Sequence, residues 1–232
     1  MKWNDHHELE GTHAFLSASQ YHWLNYTNDI LIERYRKSFA QDIGTIMHEV
    51  ASNLINSGTK INRQDKHLVD YIMAINKIPK TSYNSNFILN VLVPFVNDAI
   101  GFRMDSEIIL FYDYLSYGTS DAIKYSDIKR QLRIHDLKTG ESPASFKQLI
   151  VYAALFYLEY KIDPYENETI LRLYQNLNLD EAGINKLVEE NIIIADDYLE
   201  FIAPPEIIKE VMVKIKTSVN VIRENEGKEP RE

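Results

Sequence analysis

The chain contains no cysteine, which excludes disulfides, thiolate zinc sites and cysteine-ligated iron–sulfur clusters. No stretch approaches the roughly 18–20 uncharged apolar residues of a membrane-spanning helix, so no membrane partner is expected. The opening Met1-Lys2-Trp3-Asn4-Asp5-His6-His7-Glu8 lacks the apolar segment of a secretory signal, and a cytoplasmic location is the expectation. Positive charge is scarce: 25 Lys and Arg face 34 Asp and Glu, for a net charge of −9. That balance counts against a simple nucleic-acid binder, because neutralising phosphates takes Lys and Arg. The objection is limited, since a local basic track is enough and bound metal ions carry positive charge of their own. No internal repeat and no long linker interrupts the 232 residues, and their 45% hydrophobic content suits one domain with a full core.

Local patterns predict helices first. Ser17 or Ser19 caps a start that runs to about Tyr26. A second helix spans about Phe39 to Asn56, with Ile43, Met47, Val50 and Leu54 recurring at helical spacing and Ser57-Gly58 as the stop. Asn62 to Lys77 reads as a third, with Leu68, Tyr71, Ile72 and Ile75 inward. Phe87 to Ile100 is ambiguous between a helix and a buried strand; its length favours a helix interrupted once, at Pro94. The period then shortens. Glu107–Tyr114, Thr119–Tyr125 and Leu132–Leu137 read as a meander of three strands, with a turn near Tyr125-Ser126-Asp127. Pro143 to about Tyr160 is helical, burying Phe146, Leu149, Ile150, Ala153, Ala154 and Tyr157. Thr169–Tyr174 returns as a strand that a helical crossover allows to join in parallel. A poorly defined stretch from Leu179 to Phe201, a helix from about Pro204 to Glu224 and a disordered tail, Glu226 to Glu232, complete the expectation.

The chemistry concentrates on the meander. Gly118-Thr119-Ser120-Asp121 precedes Ile134-His135-Asp136-Leu137-Lys138-Thr139-Gly140, so one acid lies 15 residues ahead of an Asp-x-Lys triplet. Alternate strand residues share a face, so Asp136 and Lys138 project together and Asp121 on the neighbouring strand meets them. Two carboxylates and a lysine converging at one end of a sheet form a hard-cation site beside a charged amine, suited to phosphodiester hydrolysis. Three weaker signals line up with it. Gly44 and His48 lie one turn apart on the second helix, although a lone helical histidine is usually structural or solvated. Gln148 and Tyr152 share a face of the following helix, where an amide could orient a water or a phosphate oxygen. Glu107 opens the first strand, either as a carboxylate for a second metal or as an ordinary solvated acid. Lys124, Lys129, Arg130 and Arg133 cluster around the hairpin and Lys147 follows it, as a DNA-binding track or as a solvated turn and strand edge.

Gly-x-x-x-His, a strand-opening Glu, Gly-Thr-x-Asp, Asp-x-Lys-Thr-Gly and Gln-x-x-x-Tyr, in this order, resemble the PD-(D/E)XK nuclease superfamily. The similarity is greatest to its RecB-type branch, which includes phage lambda exonuclease relatives. The run His13-Ala14-Phe15-Leu16-Ser17-Ala18-Ser19 and the pair Trp23-Leu24 also match phage-encoded proteins of that branch, and the resemblance covers residues 13–175. It implies an α/β (α+β) fold with a restriction-endonuclease-like core: a central mixed sheet with a strand meander and crossover helix, flanked by helices. Residues 1–232 would form one domain, with the motif-bearing core at 13–175, a C-terminal helical extension at 176–225 and the tail at 226–232. It further implies that His48, Asp121, Asp136 and the backbone carbonyl of Leu137 bind Mg²⁺ or Mn²⁺ and that Glu107 touches a second ion. Lys138 would orient or help deprotonate the attacking water, and Gln148 and Tyr152 would position the phosphate or the lysine. Several relatives carry cluster-binding cysteines; here Leu24-Asn25-Tyr26-Thr27 stands at one such place and no cysteine exists, which moves the likeness to the cluster-free members. Ser120-Asp121 replaces the nominal Pro-Asp, within family variation.

The implied activity is a metal-dependent deoxyribonuclease of phage or prophage origin, an exonuclease in recombination or DNA end processing. Its partners would be duplex or single-stranded DNA, further copies of the chain and a single-strand annealing or recombination protein. The alternative is a catalytically inactive nuclease fold that binds nucleic acid or serves assembly, which the acidic charge mildly favours. Against it stands the cost of burying carboxylates with neither metal nor partner. A third reading, an ordinary strand salt bridge between Asp136 and Lys138, leaves the other motifs unexplained.

Overall fold

The structure is a computed structural model and describes residues 14–140, 145–176 and 180–231. Its centre is a six-stranded mixed sheet in the order β1-β2-β3-β4-β6-β5. β1 (Asp105–Asp113), β2 (Ser116–Ser126) and β3 (Gln131–Lys138) form the expected antiparallel meander. Helix α5 (Lys147–Tyr160) then crosses over, and β4 (Glu168–Gln175) pairs with β3 in parallel, from Gln131↔Glu168 to Lys138↔Gln175. The start expected for this helix at Pro143 lies outside the described residues. The face chosen for α5 is nearly right: Phe146, Leu149, Ala153, Ala154 and Tyr157 are buried, whereas Ile150 is only half-buried.

The N-terminal half packs on one side of the sheet. After a 3₁₀ segment, Ala18–Asn25, come α1 (Asn28–Ser38), α2 (Ala40–Ser57), α3 (Lys66–Ile75) and α4 (Ser85–Gly101). Gly58 ends α2 in the left-handed conformation, as its sequence signals. α4 is a helix despite Pro94, and it buries Leu89, Leu92, Phe95 and Val96 against α2, α3 and the sheet. Helix α7 (Pro205–Asn225) and α5 cover the other side around Leu149, Leu171 and Ile208.

Three expectations are corrected. In α3 the buried residues are Val69 and Met73, one turn apart, while Tyr71 is 66% exposed and Ile75 61% exposed. Within the stretch read as undefined, α6 (Glu181–Glu189) leads to β5 (Ile193–Ile194) and β6 (Leu199–Ile202), which extend the sheet beside β4. The tail read as disordered folds back along α7. Arg231 exchanges hydrogen bonds with the Asn220 side chain, and its guanidinium meets Asp113 at 3.1 Å, where Arg223 also arrives at 3.1 Å. Asp113 is buried, so the two guanidinium groups and the Leu115 N–H offset the cost of burying its charge and hold its carboxyl below the usual range.

These placements separate two leucine- and tyrosine-sized truncations that the sequence alone treats alike. Leu149→Ala should lower unfolding stability by about 2–5 kcal/mol, because the side chain is wholly buried. Tyr71→Ala should cost less than about 0.5 kcal/mol. Urea unfolding of both variants checks the pair.

Candidate metal and phosphate site

The site exists because β2 leaves β3. Their pairing runs from Ser126↔Gln131 to Ala122↔His135 and stops there, while β2 continues along β1 to Ser116 and β3 continues along β4 to Lys138. The next residues across the opening are Asp121 and Asp136. A buried N–H left without a ladder partner costs free energy, and Leu137 is wholly buried. The Asp121 carboxylate fills this gap: its Oδ2 accepts the Leu137 N–H at 2.8 Å. Its Oδ1 lies 3.2 Å from Nδ1 of His48 on α2.

Across β1 the register sets Glu107 opposite Asp121, between the pairs Ser106↔Ala122 and Ile108↔Ser120. Glu107 has φ +54°, a left-handed conformation that costs a non-glycine residue about 1 kcal/mol or more. Donor atoms of His48, Glu107 and Asp121 all fall within 4.8 Å of one another. That spacing is near the roughly 3–4 Å separating donors around a cation with 2.0–2.1 Å bonds. One imidazole nitrogen and carboxylate oxygens make a donor set that a divalent cation could occupy. The same residues border a cleft of about 670 Å³ with Thr45, Glu49, Ser52, Asn53 and Thr119.

Asp136 is turned to a different partner. It is 1% exposed, and Lys138 Nζ lies 2.9 Å from its Oδ2 and 3.2 Å from its Oδ1. Lys138 also donates to Gln148 Oε1 at 2.9 Å, and Gln148 Nε2 donates to Tyr152 Oη at 2.7 Å. Lys138 is thus held by Asp136 and Gln148, and Tyr152 reaches it only through Gln148. Burial and the neighbouring Asp121 charge push Asp136 up to about 6, against the opposing pull of Lys138. Burial acts to lower His48, but its hydrogen bond to Asp121 and the charges of Asp121, Asp136 and Glu107 prevail and raise it. Desolvation and Asp121 raise Glu107 as well. Burial is the larger cause for Asp136 and Glu107, and the Asp121 charge adds to it at both and raises His48.

The motif glycines have unequal roles. A Cβ on Gly118 would meet the Tyr152 ring at 2.8 Å, so glycine is required where this ring crosses β2. A Cβ on Gly44 would sit 3.5 Å from Thr139 Oγ1, an ordinary contact, so the space there does not demand glycine. The cleft also carries a polar stripe from α2, Thr45, Glu49 and Asn53, whose four-residue spacing, parallel to that of Gly44, His48 and Ser52, is visible in the sequence.

The expected basic track is not assembled. Lys124 pairs with Asp105 at 3.4 Å and Arg130 with Glu166 at 3.2 Å, and Lys129 shares their end of the hairpin, away from Asp121 and Lys138. Arg133 belongs to the opposite face of β3 from Asp136. Its side chain is only 11% exposed, 3.5 Å from Glu200 and 4.2 Å from the Phe102 ring centre. Lys147 is exposed at the start of α5, on the groove between α5 and α7.

Two measurements test this geometry. A carboxyl raised on folding stabilises the fold below its unfolded value, near 3.9, and that contribution is lost as pH climbs through about 6. In EDTA the wild-type melting temperature should therefore fall more between pH 5 and pH 7.5 than that of Asp136→Asn; equal slopes would remove the raised carboxyl. Gly118→Ala should cost about 1–3 kcal/mol through collision with Tyr152. In a Tyr152→Ala background most of that cost should vanish, a coupling that a double-mutant cycle of urea unfolding reads directly. Set against known proteins, the chain matches no family model, no curated protein and no solved structure.

Proposed function

We propose that this chain is a divalent-metal-dependent nuclease that hydrolyses DNA phosphodiester bonds, with a restriction-endonuclease-like core. The observation that carries the reading is the opening between β2 and β3. It sets His48, Glu107 and Asp121 around one point and the Asp136–Lys138–Gln148–Tyr152 chain beside it. The antiparallel meander, crossover helix and parallel β4 support the same core.

Mg²⁺ or Mn²⁺ held by His48, Glu107 and Asp121 would lower the pKa of a water and neutralise charge on phosphoryl oxygens. The remaining work falls to side chains. Asp136 and Gln148 hold Lys138 Nζ in place, so its positive charge is preorganised towards the negative charge that develops during attack. Tyr152, packed on Gly118, fixes Gln148. End-directed cutting in phage recombination is the role that follows from the family resemblance. A catalytically silent nucleic-acid-binding or assembly module is the second reading, favoured by one observation: none of the five expected basic residues lies at the cleft.

The test is incubation of matched linear and covalently closed circular duplex DNA with Mn²⁺, Mg²⁺ or EDTA. We expect metal-dependent loss of the linear DNA alone. Lys138→Ala should lower the rate by at least about 100-fold, the scale of removing one preorganised electrostatic group. Asp121→Asn, which keeps an acceptor for the Leu137 N–H, should abolish turnover without unfolding the sheet. Nicking of the circle would make the enzyme an endonuclease, and an inert wild-type protein would leave the silent module standing.

A further inference from the structure

The β1–β2 hairpin continues outward from the carboxylates, and its surface there is aromatic. Ile109 pairs with Thr119 and Phe111 with Tyr117, following Glu107 and Asp121 along the same two strands. Thr119 borders the metal cleft itself. The intervening residues Leu110 and Tyr112 are buried beneath α5, so the alternate set faces away from that packing. Tyr117 is 63% exposed and Tyr114, at the tip, 87% exposed. The Phe111 and Tyr117 rings lie 30° from parallel with centres 6.5 Å apart, and Tyr114 stands edge-on to Phe111 at 5.3 Å.

We propose that this face is a stacking platform for unpaired bases, and that the substrate threads its single-stranded end across Tyr117 and Phe111 to reach the carboxylates. The proposal rests on the nuclease reading and names its substrate class. Four residues of strand separate Tyr117 from Asp121, about 13 Å. A phosphate at the carboxylates therefore leaves the adjoining nucleotides over the rings. Such contacts add the affinity that a basic track would otherwise supply, because among the described residues no Lys or Arg lines the cleft and the expected basic residues lie elsewhere. Aromatic rings stack on any base whose face is free, independently of sequence. In a duplex those faces are already covered, so the platform selects single strands and frayed ends. At the hairpin tip Arg223 and Arg231 share the one Asp113 carboxylate, and the Arg231 guanidinium lies 5.7 Å from the Phe111 ring centre.

Binding is measured in Mn²⁺ on Lys138→Ala protein by fluorescence anisotropy, with labelled dodecathymidylate and a blunt duplex of equal length as probes. The single strand should bind more tightly than the duplex. Adding Tyr117→Ala should weaken single-strand binding about tenfold, the scale of one lost base–ring stack, and leave duplex binding unchanged. Tyr117→Trp should preserve it; thermal melting confirms that each variant is folded. Unchanged single-strand affinity in Tyr117→Ala, or no binding of the oligonucleotide, overturns the proposal. So does a Tyr117-dependent dimer in sedimentation with unaltered oligonucleotide binding, which would make the face an interface between copies. Failure of the nuclease reading shows separately, as wild-type protein that binds the oligonucleotide through Tyr117 and does not cut it.

Discussion

The hydrogen bond from the Leu137 N–H to Asp121 is the constraint on which the rest of the site depends. Strands that part inside a protein leave backbone groups to be satisfied, and here a carboxylate does what the missing strand would have done. Asp121 consequently belongs to the fold and to the chemistry at once. Its presence alone is weak support for catalysis, because a silent descendant would retain it to close the sheet. Lys138, Gln148 and Glu107 are more diagnostic. None satisfies a backbone group of the opening; Lys138 offsets the buried Asp136 charge, whereas Glu107 adds a further carboxylate that this balance does not call for.

The electrostatics follow from the same opening. Glu107, Asp121 and Asp136 occupy successive strands at one level, and like charges directly opposite on a sheet are destabilising. The arrangement relieves this partly through Lys138 on Asp136 and His48 on Asp121. Asp121 and its acidic neighbours raise His48 against burial, and an imidazolium there would have to lose its proton before it could ligate a cation. The left-handed Glu107 adds backbone strain at the same level, held by regular pairing on either side. Repulsion and strain gathered at one point are what a site selected for binding a cation carries and a site selected only for stability avoids.

Much of this was legible in the sequence. The shift from helical to strand spacing after Gly101, the turn after Tyr125 and the alternation of Asp136 and Lys138 define the meander without reference to distant contacts. The placement of Arg133 could also have been read. If Asp136 and Lys138 share one face, Arg133 and His135 share the other, and a track combining Arg133 with Asp136 and Lys138 contradicts the strand period. Strand direction likewise sends Lys124 and Arg130 to the far end of the hairpin. Other features were not locally encoded. Apolar residues surround α3, so spacing could not choose its buried face; docking on α4 selects Val69 and Met73. β5 has two residues and β6 four, too short for a periodic signal, and pairing with β4 defines them. The tail is polar in composition, yet Asp113 fixes it through Arg231, a partner 118 residues away.

A net charge of −9 and a polyanionic substrate are reconcilable because the two interactions act over different ranges. At physiological ionic strength the Debye length is about 8 Å, so most of the surface carboxylates are screened from a strand lying in the cleft. Binding is decided by what touches the strand. A basic enzyme would draw duplex DNA to its whole surface and gain affinity at every phosphate, useful or not. An acidic enzyme with one cation-binding point and a few exposed rings gains affinity only where a phosphate reaches the metal and a base is free to stack. On the proposed nuclease reading the acidic surface would work as a filter, discouraging lengthwise association with intact duplex while the end of a strand enters. On that reading, scarcity of positive charge, which counts against nucleic-acid binding in the composition, would become a means of selecting chain ends.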